Sequence, residues 1–380
     1  MGAATELGPL QGFVVGITAD RRWQEQAELL ERRGASIVHG PTMTTLYLAS
    51  DADLRRATED LVARPPHYLV ATTGIGMRAW LEAAATWDLD APLRTALAGT
   101  RIVARGPKAA AAVTAGGLEC WARSPNEQLG PAVDLLLAED LGGRRVAIQE
   151  YGMPSPDVDA ALATAGAEVV DVPVYRWRLP EDRSAAQRLV EAACAGEVDA
   201  VTFTSAPAVA NLAAIAADMG RLDDLVGAFN SRVVVGCVGP VCAEGALEAG
   251  IKDPVVPDVG RLGLLVRALS NHFAARRRHL THRDPEGVEH ELVVQGSAVL
   301  VDGEVTELTG RERAVFEALA DPPGAMTFRS VLLDRVWGPG ADPHVLDVTI
   351  GRLRRRLGPC GGAVRTSPGR GYRLDVGIVE

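Results

Sequence analysis

Three hundred and eighty residues, 47% hydrophobic and 23% charged, exceed one ordinary domain and suffice to bury real cores, which excludes a mostly disordered chain. A net charge of −10 excludes a uniformly basic coat for nucleic acid. The apolar stretches, such as 109–117, are too short and too rich in Ala and Gly to span a bilayer, and no basic stretch followed by an apolar core opens the chain. A cytoplasmic protein without a membrane partner is expected.

From Gly12 to Leu269, short β-branched runs alternate with Ala/Leu-rich helical patterns. Strands are predicted at Phe13–Ile17, Ser36–His39, Tyr68–Ala71, Arg101–Ala104, Arg145–Gln149, Glu168–Val172, Ala200–Phe203 and Arg232–Val238. Helices are predicted at Gln24–Arg33, Met77–Trp87, Pro131–Glu139, Asp157–Ala165, Ala206–Ala217 and Val241–Ala249. Such alternation predicts an α/β fold with parallel sheets covered by helices on both faces. The halves also echo each other. Tyr68-Leu-Val-Ala-Thr-Thr-Gly-Ile-Gly parallels Ala200-Val-Thr-Phe-Thr-Ser-Ala-Pro-Ala, and Ile102-Val-Ala-Arg-Gly-Pro-Lys parallels Val234-Val-Gly-Cys-Val-Gly-Pro. A twofold-repeated architecture with a cleft between the halves follows. The five cysteines (Cys120, Cys194, Cys237, Cys242, Cys360) show no zinc spacing and read as reduced, mostly buried thiols.

Residues 273–290 are polar and basic, punctuated by Pro285 and Gly287, and read as a linker. The domain expected after it, 291–380, changes style. Leu292–Val305 alternates around Asp302-Gly303, a hairpin signal. Thr309 and Glu312 form a capping box opening a helix to about Ala320; Thr327 is expected to cap a second helix through Val336; a third runs over His344–Leu357. A β-hairpin then joins Ala363–Thr366 to Gly371–Leu374. In the third helix Leu346, Ile350, Leu353 and Leu357 make one core-facing stripe, with Val348, Gly351, Arg352 and Arg355 opposite and Thr349 and Arg356 on a shoulder. Residues 353–373 hold six arginines and no carboxylate, the footprint of a dedicated double-stranded DNA contact inside an acidic protein.

Three helices and a Gly-tipped hairpin form a winged helix-turn-helix pattern. Leu308-Thr-Gly-Arg-Glu312, Leu332-Leu-Asp-Arg-Val-Trp-Gly338, the run Leu346–Leu357 and Thr366–Arg373 make it similar to the OmpR/PhoB-type DNA-binding domain. That resemblance implies base or groove contacts from Asp347, Thr349 and Arg352, a phosphate contact from Arg354, and further DNA contacts from Arg355, Arg356 and Arg370. The wing arginine usual in that family falls on Pro368, with Arg370 two residues later. What precedes lacks the acidic cluster and the late lysine of a phosphoreceiver, so two-component phosphorylation is not expected.

The first 270 residues resemble uroporphyrinogen-III synthase, the bilobal HemD-like enzyme that cyclises hydroxymethylbilane. Gly34-Ala-Ser-Ile-Val, Gly106-Pro-Lys-Ala-Ala, Gly166–Tyr175, Phe203-Thr-Ser205, Val238-Gly-Pro240 and Ala249-Gly-Ile251 carry the likeness. It implies a domain over 10–272, with lobe 1 from 10–40 and 175–272 and lobe 2 from 41–174. It implies no metal and no cofactor. It also implies a polycarboxylate bound by backbone N–H groups at strand–helix turns, at Thr73, Gly74 and Gly76 in one half and Ser205 and Gly239 in the other. Tyr175 matches a tyrosine implicated in expelling the terminal hydroxyl; the same position also suits a packed aromatic with a bonded hydroxyl. Several site groups depart from the pattern together. Turn hydroxyls are replaced by Ala109 and Val241, an asparagine by Ile75, and an Arg-Gly-like pair by Gln149-Glu150-Tyr151.

The expectation is therefore a DNA-binding transcription regulator with a synthase-like domain serving as sensor of a tetrapyrrole or other anionic small molecule, or as a partner surface. The fusion is similar in architecture to actinomycete regulators of nitrate and nitrite assimilation, a connection consistent with the sirohaem of nitrite reductase being made from uroporphyrinogen III. The alternative is a bifunctional protein that retains synthase activity. A scaffold contacting another transcription regulator or RNA polymerase is the third reading.

Overall fold

The computed structural model describes residues 7–47, 52–150, 152 and 155–378. Two compact units divide the chain, Met1–Met43 with Pro180–Glu380, and Thr44–Leu179.

The chain opens the first unit with β1 (Val14–Ile17), α1 (Trp23–Glu31) and β2 (Ser36–His39). It then builds the second unit from β3 (Thr44–Tyr47), α2 (Ala52–Ala63), β4 (Tyr68–Ala71), α3 (Gly74–Thr86), α4 (Asp90–Leu97), β5 (Arg101–Ala104), α5 (Pro107–Ala115), β6 (Cys120–Arg123), α6 (Leu129–Leu137), β7 (Arg145–Gln149), α7 (Pro156–Thr164), β8 (Glu168–Val172) and β9 (Tyr175–Arg178). Five of these strands form a parallel sheet in the order β6-β5-β4-β7-β8. Strand period sends alternate side chains to opposite faces, so both faces of a central strand must be apolar. In β4, Leu69 and Ala71 join a core with Trp80, Leu54 and Leu61, while Tyr68 and Val70 join another with Val103, Leu136 and Ile148. An antiparallel ribbon of β3 and β9 pairs Thr44 with Arg178 and Tyr47 with Tyr175.

Back in the first unit come α8 (Ser184–Ala195), β10 (Ala200–Phe203), α9 (Ala206–Asp218), α10 (Leu222–Phe229), β11 (Val234–Cys237), α11 (Pro240–Glu248) and α12 (Leu262–Ala274). The sheet is again parallel, in the order β11-β10-β1-β2. Phe13, Val15, Leu30, Leu265, Leu269 and Phe273 form a core on one face.

The same unit continues into β12 (Arg278–Arg283), β13 (Glu289–Gln295), β14 (Ala298–Val301), β15 (Glu304–Glu307), α13 (Gly310–Leu319), β16 (Thr327–Phe328), α14 (Arg329–Trp337), α15 (Pro343–Arg356), a 3₁₀ turn over Gly358–Ala363, β17 (Val364–Ser367), β18 (Gly371–Leu374) and β19 (Gly377–Ile378). Here the expected linker is corrected. Only residues 275–277 separate α12 from β12, and β12 pairs along its length with β13, Leu280 facing Leu292. The expected cap at Thr327 is also corrected, since Thr327 is in β16 and α14 starts after Phe328 without a side-chain cap. Asp302 and Gly303 both take positive φ, 48° and 88°, as the hairpin signal requires. The α13 capping box is present in both directions, Thr309 to Glu312 and back. One core holds the three helices between the sheets, with Phe316, Leu332, Leu346, Ile350 and Leu353 buried.

Within this unit the α/β part and the C-terminal part interlock rather than being tethered. Ser297 N donates to Gly12 O at 2.8 Å, and Gln295 Nε2 donates to Gly8 O and Gln11 O, each at 2.8 Å. The backbones approach so closely that a Cβ on Gly12 would stand 2.3 Å from Ala298 N, and one on Gly296 2.3 Å from Gly12 O. Both glycines have positive φ, so any side chain there is excluded twice over. Arg313 on α13 pairs with Asp199, the residue before β10, at 2.6 Å.

Candidate functional site

In the second unit the turn from β4 to α3 brings together Thr73, Gly74 and Gly76. Thr73 is the N-cap of α3, and its Oγ1 accepts from Gly76 N at 3.1 Å. Gln149, fully buried at the end of β7, reaches into the same turn. Its Oε1 accepts from Thr72 N at 3.0 Å and Thr73 N at 3.4 Å, and its Nε2 donates to Thr73 O at 3.4 Å. Thr72 Oγ1 donates to Gln149 O at 2.8 Å. The N–H groups of Thr73 and Gly76, expected to meet a carboxylate, are thus already bonded within the protein. Both glycines are fixed by packing: a Cβ on Gly76 would lie 2.2 Å from Gln149 Nε2, and one on Gly74 2.2 Å from Lys108 O.

Next to Gln149 the chain places a buried carboxyl. Glu150 is buried, and its carboxyl is pushed above the usual range by burial and then by Asp171, against the pull of Arg176. Burial also raises Asp171 and Asp159. Tyr151, the third residue of the altered run, lies outside the described residues. Tyr175 is buried in the core with Val172 and Val174, its ring tilted 48° to that of Trp177 with 6.2 Å between centroids. Trp177 in turn lies where a Cβ on Gly152 would come within 2.5 Å.

In the first unit the matching turns are differently furnished. Ser205 and Gly239 are the N-caps of α9 and α11, each with extended backbone, and neither turn carries a side-chain capping bond. Val238 N donates to Phe203 O at 3.0 Å, tying the two turns side by side. Around Gly239 a Cβ would meet only Gly260 Cα at 3.6 Å, ordinary contact. Val241, which replaces the hydroxyl of the family pattern, is 53% exposed. Pro207 and Pro240 in the first helical turns remove a donor each. Among the described residues no group of His, Cys, Asp and Glu is arranged to hold a metal.

The C-terminal candidates separate into two sets. Leu346, Ile350, Leu353 and Leu357 are buried as the stripe predicts. Arg352, Arg355 and Arg370 are exposed, and among the described residues none has a carboxylate partner; Arg355 makes only a bond at 3.4 Å to the Gly351 carbonyl of its own helix. The others are engaged. Thr349 is buried and donates to Val345 O at 2.7 Å, so it faces the core rather than a groove. Arg354, expected on phosphate, donates Nε to Val364 O at 2.9 Å and Nη2 to Thr366 Oγ1 at 2.8 Å, stapling α15 to the hairpin. Arg356 pairs with Glu312 at 2.8 Å and donates to Glu307 O at 2.7 Å, and the buried Glu312 also accepts from Thr309 N. Asp347 keeps its place on the outer face but accepts from Arg329 Nη2 at 2.7 Å and from the Tyr372 hydroxyl. Arg329 and then Tyr372 hold its carboxyl below the usual range. Arg329 and Tyr372 escaped the sequence reading because they meet Asp347 across 18 and 25 residues.

A family model described as "Uroporphyrinogen-III synthase HemD" matches residues 24–267, and one described as "Transcriptional regulatory protein, C terminal" matches residues 303–374. The chain is 28% identical over 267 residues to the uncharacterized protein YjjA of Bacillus subtilis, covering 70% of this chain and 97% of that one. It is 35% identical over 88 residues to the transcriptional regulatory protein CseB of Streptomyces avermitilis, covering 23% of this chain and 37% of CseB. Among solved structures, a mutant uroporphyrinogen III synthase from Thermus thermophilus matches with a TM-score of 0.57 at 32% identity, over 68% of this chain and 99% of that one.

Proposed function

The chain belongs to the uroporphyrinogen-III synthase HemD family, and on that premise we propose that its family domain serves a DNA-binding transcription regulator as a ligand-sensing or partner-binding part, in nitrogen and specifically nitrite assimilation. The observation that carries the reading is the contrast in spent and unspent polar groups. Among the described residues Arg352 and Arg355 project from α15 without a carboxylate partner, while in the β4–α3 turn Gln149 takes the N–H groups of Thr72 and Thr73. A helix held by a Leu/Ile stripe and presenting arginine outward suits the major groove, where a guanidinium pairs bidentately with guanine. Such work is done on double-stranded DNA in the cytoplasm.

What remains of anion binding in the family domain rests on Ser205 and Gly239, where neither turn carries a side-chain capping bond. A tetrapyrrole carboxylate is the ligand class that the family chemistry suggests, and uroporphyrinogen III as a precursor of sirohaem links it to nitrite reduction. Tyr175 supports the second reading, a protein that keeps synthase activity, because it stands at the position of the tyrosine implicated in that chemistry. The test is fluorescence anisotropy of the full chain on promoter fragments, compared with Arg352→Ala. Saturable binding that the variant weakens on a preferred fragment supports the reading; equal binding by both proteins removes α15 as the reading helix.

A further inference from the structure

A cavity of about 1060 Å³ lies inside the first unit, where the α/β part meets the C-terminal part, away from the strand–helix turns and from the outer face of α15. Its walls include six arginines, Arg232, Arg276, Arg277, Arg278, Arg313 and Arg335, against four carboxylates, Glu197, Asp199, Glu317 and Asp321. That is a local excess of positive charge in a chain whose net charge is −10.

The carboxylates do not neutralise all of the arginines. Asp199 is spent on Arg313 and on Val14 N, at 2.6 and 2.8 Å, and Glu317 pairs with Arg313 at 2.8 Å. Arg313 is therefore the satisfied group of the wall. Arg277 gives Nε to Gln295 at 2.8 Å and Arg278 gives Nη1 to Ala320 O at 2.7 Å, so each retains donors of a five-donor guanidinium. Arg276 and Arg335 are exposed, and among the described residues neither guanidinium has a carboxylate partner. The walls are set in advance by the Gly12–Gly296 approach and the Gln295 bonds, which lowers the ordering cost of a ligand.

We infer that this junction is a second binding site, for a small polyanion carrying two or more phosphate or carboxylate groups. Arg232 belongs to the α/β part and Arg335 to α14, so such a ligand bridges the two. Guanidinium forks match both anion types, and multivalency is what several separated arginines recognise. A ligand bound only across the junction stabilises the docked arrangement in proportion to its occupancy.

The test is titration calorimetry of the full chain at physiological salt with tripolyphosphate in one arm and citrate in the other, which separates the phosphate from the carboxylate source. Wild type is expected to bind at least one probe at a single saturable site. Arg276→Ser combined with Arg335→Ser should weaken it by about tenfold or more, since two charge-assisted contacts are lost, while Arg352→Ala combined with Arg355→Ala leaves it unchanged. Both altered residues of the first pair are exposed, so an unchanged melting temperature without anion certifies the fold. The inference is overturned if neither probe binds, if binding survives the junction variant, or if the α15 variant abolishes it, which would put the anion on the DNA-reading face.

Discussion

The outer face of α15 and the β4–α3 turn both present hydrogen-bond donors, yet they treat them in opposite ways. On α15 Arg354 staples to β17 and Arg356 to Glu312, while Arg352 and Arg355 point outward and have no carboxylate partner among the described residues. In the turn, Gln149 accepts from Thr72 N and Thr73 N, and Thr73 Oγ1 accepts from Gly76 N. Polar groups facing solvent can stay unspent, whereas a buried turn must satisfy its N–H groups from within, because each orphan costs about 1–3 kcal/mol.

The sharpest way to break this contrast is to remove the unspent arginines. Arg352→Ala with Arg355→Ala should cost at least about 2 kcal/mol of operator binding and relax base preference, measured by anisotropy against single-base variants of the site. Unchanged affinity would mean the outer face is not the reading face. Next in size, Gln149→Ala should destabilise the second unit by about 1–3 kcal/mol in urea unfolding, because Thr72 N and Thr73 N lose their acceptor. The same change should increase carboxylate binding at the turn; a variant neither less stable nor more receptive would show that Gln149 does not close it. Smaller again, Arg354→Ala should lower stability by about 1 kcal/mol through loss of the Val364 and Thr366 bonds. The salt dependence of DNA binding should keep its slope in that variant, whereas a flattened slope would return Arg354 to the phosphates.

The smallest effect concerns pH. Protonated His290 donates from Nδ1 to Asp302 at 2.6 Å and from Nε2 to Asp284 at 3.2 Å, and these bonds, Asp302 first, raise its pKa above 6.5. A raised folded-state pKa stabilises fully below the unfolded value, and the gain fades as pH rises through the folded value. The melting-temperature gap between wild type and His290→Gln should therefore be widest at and below about pH 6 and narrow above neutrality. A gap that grows with pH would contradict the pairing.

Much of this was legible in the chain itself. The stripe Leu346, Ile350, Leu353, Leu357 places α15 and its outward arginines because helical period alone decides them. The repeated strand–turn–helix units were equally readable, since β4 and the stretches Ile102–Ala104 of β5 and Val146–Ile148 of β7 are apolar runs. Strand β12 was hidden because Arg278-His-Leu-Thr-His-Arg283 has one aliphatic residue, and only its partner β13 makes it a strand. The β3–β9 ribbon escaped for a like reason, Arg176 and Arg178 breaking the apolar pattern. Thr349 lies three residues past Leu346, close enough to the stripe to be buried. The fates of Arg354 and Gln149 depend on contacts across 10 and 77 residues, which no local pattern contains.

Hydroxymethylbilane turnover by the purified full chain, with the uroporphyrinogen isomers separated, tests most directly whether the β4–α3 turn still serves catalysis. With the β4–α3 turn filled by Gln149 and Glu150 buried beside it, formation of the type III isomer should be absent or very weak over the spontaneous reaction. Robust type III formation, abolished by Tyr175→Phe, would contradict that expectation and make the protein a working synthase joined to a DNA reader.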